Sequence, residues 1–157
     1  FLYCAYDGKV EHACLAGSLM DMWKGSLFIK LAEYYRRPIR QALTGSRRFS
    51  PPLAIDQLAG LASRHVSLGN VAGEGWLLTA EMVELVESGV PNIICMQPFA
   101  CLPNHITGKG ILGELRRSYP RANIVPIDYD PGASEVNQLN RIKLMLAVAG
   151  DRHAQCN

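Results

Sequence analysis

The residues best suited to chemistry lie between Asn92 and His105, in the segment NIICMQPFACLPNH. The apolar run at 93–96 predicts a buried strand, and the prolines that follow it predict a stiff loop. Cys95, Cys101 and His105 place three soft-ligand residues close together in this segment. Because open α/β sheets keep their sites just beyond the carboxyl ends of strands, this pattern points to thiolate or imidazole chemistry there.

The two cysteines of this segment differ in their predicted surroundings. Cys95 falls inside the strand, where a buried and inert thiol is the simpler interpretation, whereas Cys101 on the loop is the better metal ligand. Their spacing is not that of a CxxC motif. Because a [4Fe–4S] cluster usually takes up to four thiolates, a cluster here would need ligands from outside the segment.

The same loop ends in a second candidate site, for an anion. The run Thr107-Gly108-Lys109-Gly110 precedes a predicted helix, which would leave backbone N–H groups and a lysine available to a phosphate. The run lacks the order of a P-loop and of GxGxxG, and the alternative is that the glycines only close a tight turn. Other polar candidates on this loop are Gln97, Asn104 and His105.

Three carboxylates and a serine are further candidates for a functional site. Asp128 and Asp130 follow the next predicted strand, so they would neighbour the cysteine loop and serve in acid–base work, or else form a solvated Asx-turn. Ser134 is the predicted cap of the last helix. Glu74 lies between two glycines, where it would either face a cleft or cap the third helix.

The periodicity of the second half predicts a βαβα unit with strands at 92–96 and 123–127 and helices at 110–118 and 135–149. Strands joined by a crossover helix imply a parallel sheet with right-handed connections, so both loops leave the same edge. Pro126 cannot donate to a ladder, which predicts that the second strand lies at an edge. An apolar stripe at Val136, Leu139, Ile142 and Leu146 is expected to face the core.

The first half is predicted to be mainly helical. Asp7-Gly8 is typical of a tight hairpin turn. A long helix begins near Leu19 and should end near Arg37, because Pro38 disfavours helical geometry before it. Two more helices follow, one from Pro51-Pro52 and one closed by Gly89.

These elements predict an α/β fold, a Rossmann-like or flavodoxin-like three-layer domain with a small parallel sheet, N-terminal helices and an N-terminal hairpin. We expect a single domain over 1–157, with the hairpin, helix and connector at 1–52 and the Rossmann-like core at 53–149. The absence of a starting methionine suggests a piece of a longer protein.

The composition of the chain argues against two classes of function, nucleic-acid binding and membrane insertion. The chain has 157 residues, 48% of them hydrophobic, and a formal charge of +2, which gives no electrostatic footprint for nucleic acid. No apolar run reaches the ~20 residues needed to span a bilayer, so we expect a cytoplasmic protein without membrane contact. Five cysteines without regular spacing predict reduced thiols. If the first helix exposes apolar area, a homodimer would follow.

Three sequence words carry a family resemblance: GEGW at 73–76, QPFACLPNH at 97–105 and DYDPGASEVNQLNR at 128–141. Over residues 69–149, the chain resembles the carboxyl-terminal region of large 2-hydroxyacyl-CoA dehydratase activase-related proteins. That family handles iron–sulfur clusters and low-potential electrons. The resemblance implies that Cys101 matches a cluster cysteine, while the other cysteine motifs of the family and its ATP-hydrolysing portion have no counterpart here.

The resulting hypothesis is an iron–sulfur-associated domain that contributes Cys101, and secondarily Cys95, to a cluster completed by other segments of a parent protein or by a dehydratase-like subunit. Such a domain would not turn over substrate alone. A rival hypothesis is a non-catalytic docking domain in which GEGW and the QPF loop form the surface and every cysteine is a reduced packing residue. A third is a small-anion or acyl-CoA binding module at Thr107 to Gly110.

Overall fold

The computed structural model describes residues 2–15, 17–130 and 132–155, with the backbone alone at 12–15 and 152–155. Within these ranges the protein is a mixed α/β structure with six α-helices, one π-helix and a parallel two-stranded sheet. The helices are α1 (Leu2–Leu15), α2 (Leu19–Thr44), α3 (Ile55–Ala62), α4 (Trp76–Glu87), α5 (Leu112–Ser118) and α6 (Glu135–Gln155). The strands are β1 (Asn92–Pro98) and β2 (Asn123–Tyr129), and the π-helix is Asn104–Lys109. None of the described helices is long and apolar enough to cross a membrane.

The parallel sheet of the second half is confirmed. β1 and β2 pair in register from Asn92 opposite Asn123 to Pro98 opposite Tyr129, with α5 as the crossover. Pro126 lies opposite Cys95, and because the described sheet has two strands, β2 has the free edge that its proline predicts. Both strands run two residues further than expected.

The predicted N-terminal hairpin is wrong, since Asp7 and Gly8 lie inside α1. Gly8 serves close helix packing instead of a turn, because a Cβ atom there would sit 3.0 Å from the carbonyl oxygen of Asp21 on α2. Gly25 does the same from the other side, where a Cβ atom would clash with the carbonyl oxygen of Ala5. Tertiary packing between α1 and α2 therefore overrides the local turn preference of Asp-Gly.

The predicted end of the long helix near Arg37 is also wrong, because α2 continues through Pro38 to Thr44. The guanidinium groups of Arg36 and Arg40 both bind the carboxylate of Glu33, at 2.7 and 3.0 Å. The Glu33–Arg40 pair joins the turns on either side of the proline and compensates in part for its missing hydrogen bond.

Two hydrophobic clusters form the core. One groups Tyr3, Ile29, Ile55, Ala59, Ala62, Trp76 and Ala80 between the helices of the first half. The other groups Met82, Val83, Ile93, Cys95, Leu112, Leu115, Ala122 and Ile124 under the sheet. Helix α4 contributes to both clusters, so it ties the N-terminal helices to the βαβα unit.

The last helix packs differently from its sequence pattern. Val136, Leu139 and Leu146 of the predicted core stripe are exposed, and Met145 is the one buried residue among the described side chains 135–151 of α6. With two strands in the described sheet, α6 has only β2 to cover, which explains why most of its apolar side chains stay in solvent.

Candidate functional site

The loops after β1 and β2 meet at the carboxyl edge of the sheet. The ammonium group of Lys109 lies 3.1 and 3.2 Å from the two carboxylate oxygens of Asp128. The backbone N–H of Phe99 donates to the carbonyl oxygen of Tyr129 at 3.0 Å, which joins the two loops where the strands end. The structure thus brings the cysteine loop and the aspartate loop side by side.

Cys101 is half-buried on the first of these loops. Its Sγ atom accepts a hydrogen bond from the Nδ2 atom of Asn104 at 3.0 Å, and its carbonyl oxygen accepts one from the N–H of His105 at 3.1 Å. The preceding residue, Ala100, has a φ of +55°, a strained value for a non-glycine residue that turns the chain sharply before the thiol. The result is an accessible sulfur with an amide donor aimed at it.

Cys95 has the opposite environment. It is 8% exposed within the core cluster under the sheet, and burial raises the pKa of its thiol, an effect that a hydrogen bond from Gln97 partly opposes. The Nε2 atom of Gln97 lies 3.0 Å from its Sγ atom. Gly108 packs on top, since a Cβ atom there would be 3.3 Å from the sulfur. Cys95 is therefore a packed thiol with no space beside it for a cluster.

A pair of buried threonines fixes the position of the cysteine loop. The hydroxyl of Thr79 on α4 donates to the carbonyl oxygen of Thr107 at 2.7 Å. The hydroxyl of Thr107 reaches the carbonyl oxygens of Gly75 at 2.6 Å and Pro103 at 2.9 Å. Both side chains are almost fully buried, so these bonds are screened from water.

Sequence reasoning missed this threonine pair. A signal was available, because Thr79 shares the helical face of Trp76, Ala80 and Val83, and a hydroxyl among apolar residues needs an internal partner. The π-helix that carries Thr107 had no comparable signal in the sequence.

The GEGW segment is structural. Gly73 and Gly75 have φ values of +60° and +44°, and a Cβ atom at Gly75 would clash with the carbonyl oxygen of Asn70 and the hydroxyl of Tyr3. Trp76 is 0% exposed, with its ring centroid 5.2 Å from that of Tyr3. Its indole is unavailable for docking. Glu74 is exposed on the loop between the glycines.

The Thr107 to Gly110 run does not form an anion cradle. Thr107 and Gly108 are buried, and Lys109 is occupied by Asp128. The N–H of Gly110 donates to the carbonyl oxygen of His105 at 2.8 Å. Because backbone N–H groups of this run are hydrogen-bonded within and at the end of the π-helix, the geometry supports the alternative in which the glycines allow close packing of the chain. The side chain of His105 is exposed.

The second loop forms an Asx-turn. The Oδ1 atom of Asp130 accepts a hydrogen bond from the N–H of Gly132 at 3.0 Å. Ser134 accepts the first two backbone hydrogen bonds of α6 through its carbonyl oxygen, from Asn137 and Gln138. Pro131 lies outside the described residues. Asp130 thus stabilises the turn, and Asp128 is the carboxylate that faces the cysteine loop.

The described residues do not fit a self-contained metal centre. Nowhere in the described part of the chain do three or more His, Cys, Asp or Glu side chains come together in a way that could hold a metal ion. The side chains of Cys14 and Cys156 lie outside that part. A single thiolate ligand from Cys101 does fit, because its sulfur is accessible and hydrogen-bonded.

No family model, no curated protein and no solved structure matches the chain.

Proposed function

We propose that the protein is an iron–sulfur-associated domain of a 2-hydroxyacyl-CoA dehydratase activase-related protein. It contributes Cys101 to a cluster for low-potential electron transfer, and the other ligands come from a longer polypeptide or from a dehydratase-like subunit. Its Rossmann-like or flavodoxin-like sheet is then extended by strands outside this chain. The supporting observation is the accessible Cys101 sulfur at the carboxyl edge of two parallel strands, where α/β proteins hold their ligands.

The hydrogen bond from Asn104 supports a ligand role for this sulfur. Amide donors to cluster-ligating sulfurs are among the features that tune such sites, and Asn104 is itself buried and therefore fixed in orientation. Cys95, the second cysteine suggested by the sequence, is not proposed as a ligand, because its sulfur is enclosed by Gln97 and Gly108.

The apolar side chains near Cys101 support completion of the site from outside. Phe99, Leu102 and Ile106 are all more than half exposed on the same loop and π-helix. Exposed apolar groups of this density mark a surface that another polypeptide covers. When it is covered, water would be excluded from the sulfur, which is the environment that a low-potential cluster requires.

The test is anaerobic reconstitution with iron and sulfide of the polypeptide that contains this chain and its flanking sequence. We expect a visible charge-transfer band that is lost in Cys101→Ser and kept in Cys95→Ser. The isolated chain should stay colourless, since its described residues hold no group of three or more His, Cys, Asp or Glu side chains that could bind a metal ion. A band that persists unchanged in Cys101→Ser, or that depends on Cys95, would overturn the assignment.

The docking-domain hypothesis shares one supporting observation, the exposed loop around Phe99 and Leu102. In that case a partner would bind Cys101→Ser and the parent chain with equal affinity, and neither complex would take up iron. Both proposals keep the domain non-catalytic by itself. Because Trp76 is buried, it cannot contribute to a docking surface, and Glu74 is the exposed side chain of the GEGW segment.

A further inference from the structure

The outer face of α2 carries an apolar stripe. Met20, Trp23, Leu27, Leu31 and Tyr34 recur at intervals of three and four residues, and each is between 52% and 66% exposed. This spacing places them on one side of the helix. Gly25 and Ile29, the buried residues of α2, lie on the opposite side. The helix therefore packs inward through Gly25 and Ile29 and turns most of its large apolar side chains to solvent.

Ordinary protein surfaces expose single apolar residues, whereas this stripe is a continuous apolar patch. It extends over 15 residues of helix, from Met20 to Tyr34, and includes two aromatic rings that are mostly exposed. Covering it would bury several hundred Å² per molecule, a large part of the roughly 800 Å² per partner of a standard specific interface. Helix α2 thus presents a surface with the extent and composition of an interface core.

We propose that this stripe is covered by the same stripe of a second copy of the chain, with the two α2 helices antiparallel. The order of residues is nearly symmetric about Leu27, with Trp23 and Leu31 four residues away and Met20 and Tyr34 seven residues away. A two-fold axis at Leu27 places Leu27 on its own copy, Trp23 on Leu31, and Met20 on the Tyr34 ring. Such self-complementarity is what an isologous dimer interface requires.

The charges of α2 favour the antiparallel orientation. Its second half and the residues after it are rich in arginine, at Arg36, Arg37, Arg40, Arg47 and Arg48. A parallel dimer would bring these two basic segments together, whereas an antiparallel dimer holds them at opposite ends.

The test is the molar mass of the intact chain by sedimentation equilibrium over a dilution series. We expect a rise from 17.3 kDa to twice that value as the concentration increases. Leu27→Glu, at the centre of the stripe, should stay monomeric at every concentration. Leu144→Glu is the matched control, because Leu144 on α6 is similarly exposed but off the stripe, and it should dimerise like the parent chain. Far-UV circular dichroism checks that both variants fold.

Tryptophan fluorescence reports the same surface independently. Trp23 is 66% exposed and Trp76 is fully buried, so a blue shift of the emission on association arises from Trp23. Oxidative cross-linking gives the orientation. Leu27→Cys should cross-link to itself, and Met20→Cys should not exceed the parent chain, because its two copies would lie about 20 Å apart in the antiparallel dimer.

Three results would overturn this dimer. The first is a monomer over the whole concentration range, and the second is a dimer that survives Leu27→Glu. The third is a Trp23 blue shift on anionic phospholipid vesicles while the free chain remains monomeric, which would make the stripe a membrane-facing surface. Equal cross-linking of Met20→Cys and Leu27→Cys would overturn the antiparallel orientation.

Discussion

Thr107→Val tests whether the buried threonine pair holds the cysteine loop in place. Valine keeps the shape of threonine but removes the hydroxyl that reaches the carbonyl oxygens of Gly75 and Pro103. Because Thr107 is buried, water cannot replace the lost donor, and leaving such a carbonyl unsatisfied costs about 2 kcal/mol. For a domain of this size that loss corresponds to a fall in Tm of roughly 4–8 °C.

The measurement is urea denaturation followed by circular dichroism, with the same variants melted thermally. We expect the midpoint to fall with an unchanged slope, which would show that stability changed and not the surface exposed on unfolding. Thr44→Val is the matched control. Its hydroxyl donates to the carbonyl oxygen of Arg40 on the exposed side of α2, so its loss should change stability by less than about 0.5 kcal/mol.

The loop itself supplies a second observable. If Thr107 positions the Cys101 loop, Thr107→Val should increase the rate at which Cys101 reacts with a thiol reagent, while the buried Cys95 stays slow. The reasoning is refuted if Thr107→Val is as stable as the parent chain, or if Thr44→Val is destabilised to the same degree.

Three further outcomes follow from the structure. Burial, with a smaller effect of Glu11, raises the pKa of Asp7 from 3.8 to about 6. The protonated carboxyl therefore contributes stability that is fully present below pH 3.8 and is lost as the pH rises to about 6. In a series of thermal melts, Asp7→Asn should flatten this decline of Tm with pH and stabilise the protein at neutral pH. Gly25→Ala should destabilise by more than 1 kcal/mol in urea titration, because α1 must move away, whereas Gly60→Ala, with open space around it, should be neutral or stabilising by about 0.5 kcal/mol. Lys109→Met should lower the free energy of unfolding by less than about 1 kcal/mol in the same titration, because the ion pair of Lys109 with Asp128 is partly exposed, and the loss should shrink at high salt. A larger loss of stability that does not depend on salt would contradict this.

The second half of the fold could be predicted from the sequence because its signals are local. Apolar strands, a helical period and turn residues repeat along 92–149 in the order of a βαβα unit, and this order fixes a parallel sheet with both loops at one edge. The meeting of Lys109 with Asp128 is a consequence of that topology. No local signal indicated that the π-helix would consume the backbone donors of the predicted anion site.

The first half was less accessible because its elements depend on long-range packing. The Asp7-Gly8 pair is a good turn by itself, and only the approach of α2 makes its glycine useful inside a helix. Pro38 likewise stops an isolated helix, but in this protein the ion pair of Glu33 with Arg40 spans it. Periodicity also indicated which side of α2 is apolar without showing that this side is exposed.

The free edge of β1 has a practical consequence for handling the protein. The strand has no charged residue over 92–98, and its outward side carries Ile94 and Met96, which are both exposed. Natural sheets guard such edges with lysine, proline or a bulge, since unpaired backbone groups recruit strands from other molecules. Proline comes only at the last position of this strand. Slow fibrillar aggregation of concentrated samples is therefore expected to begin at β1, and salt, which weakens charge repulsion between molecules, should accelerate it.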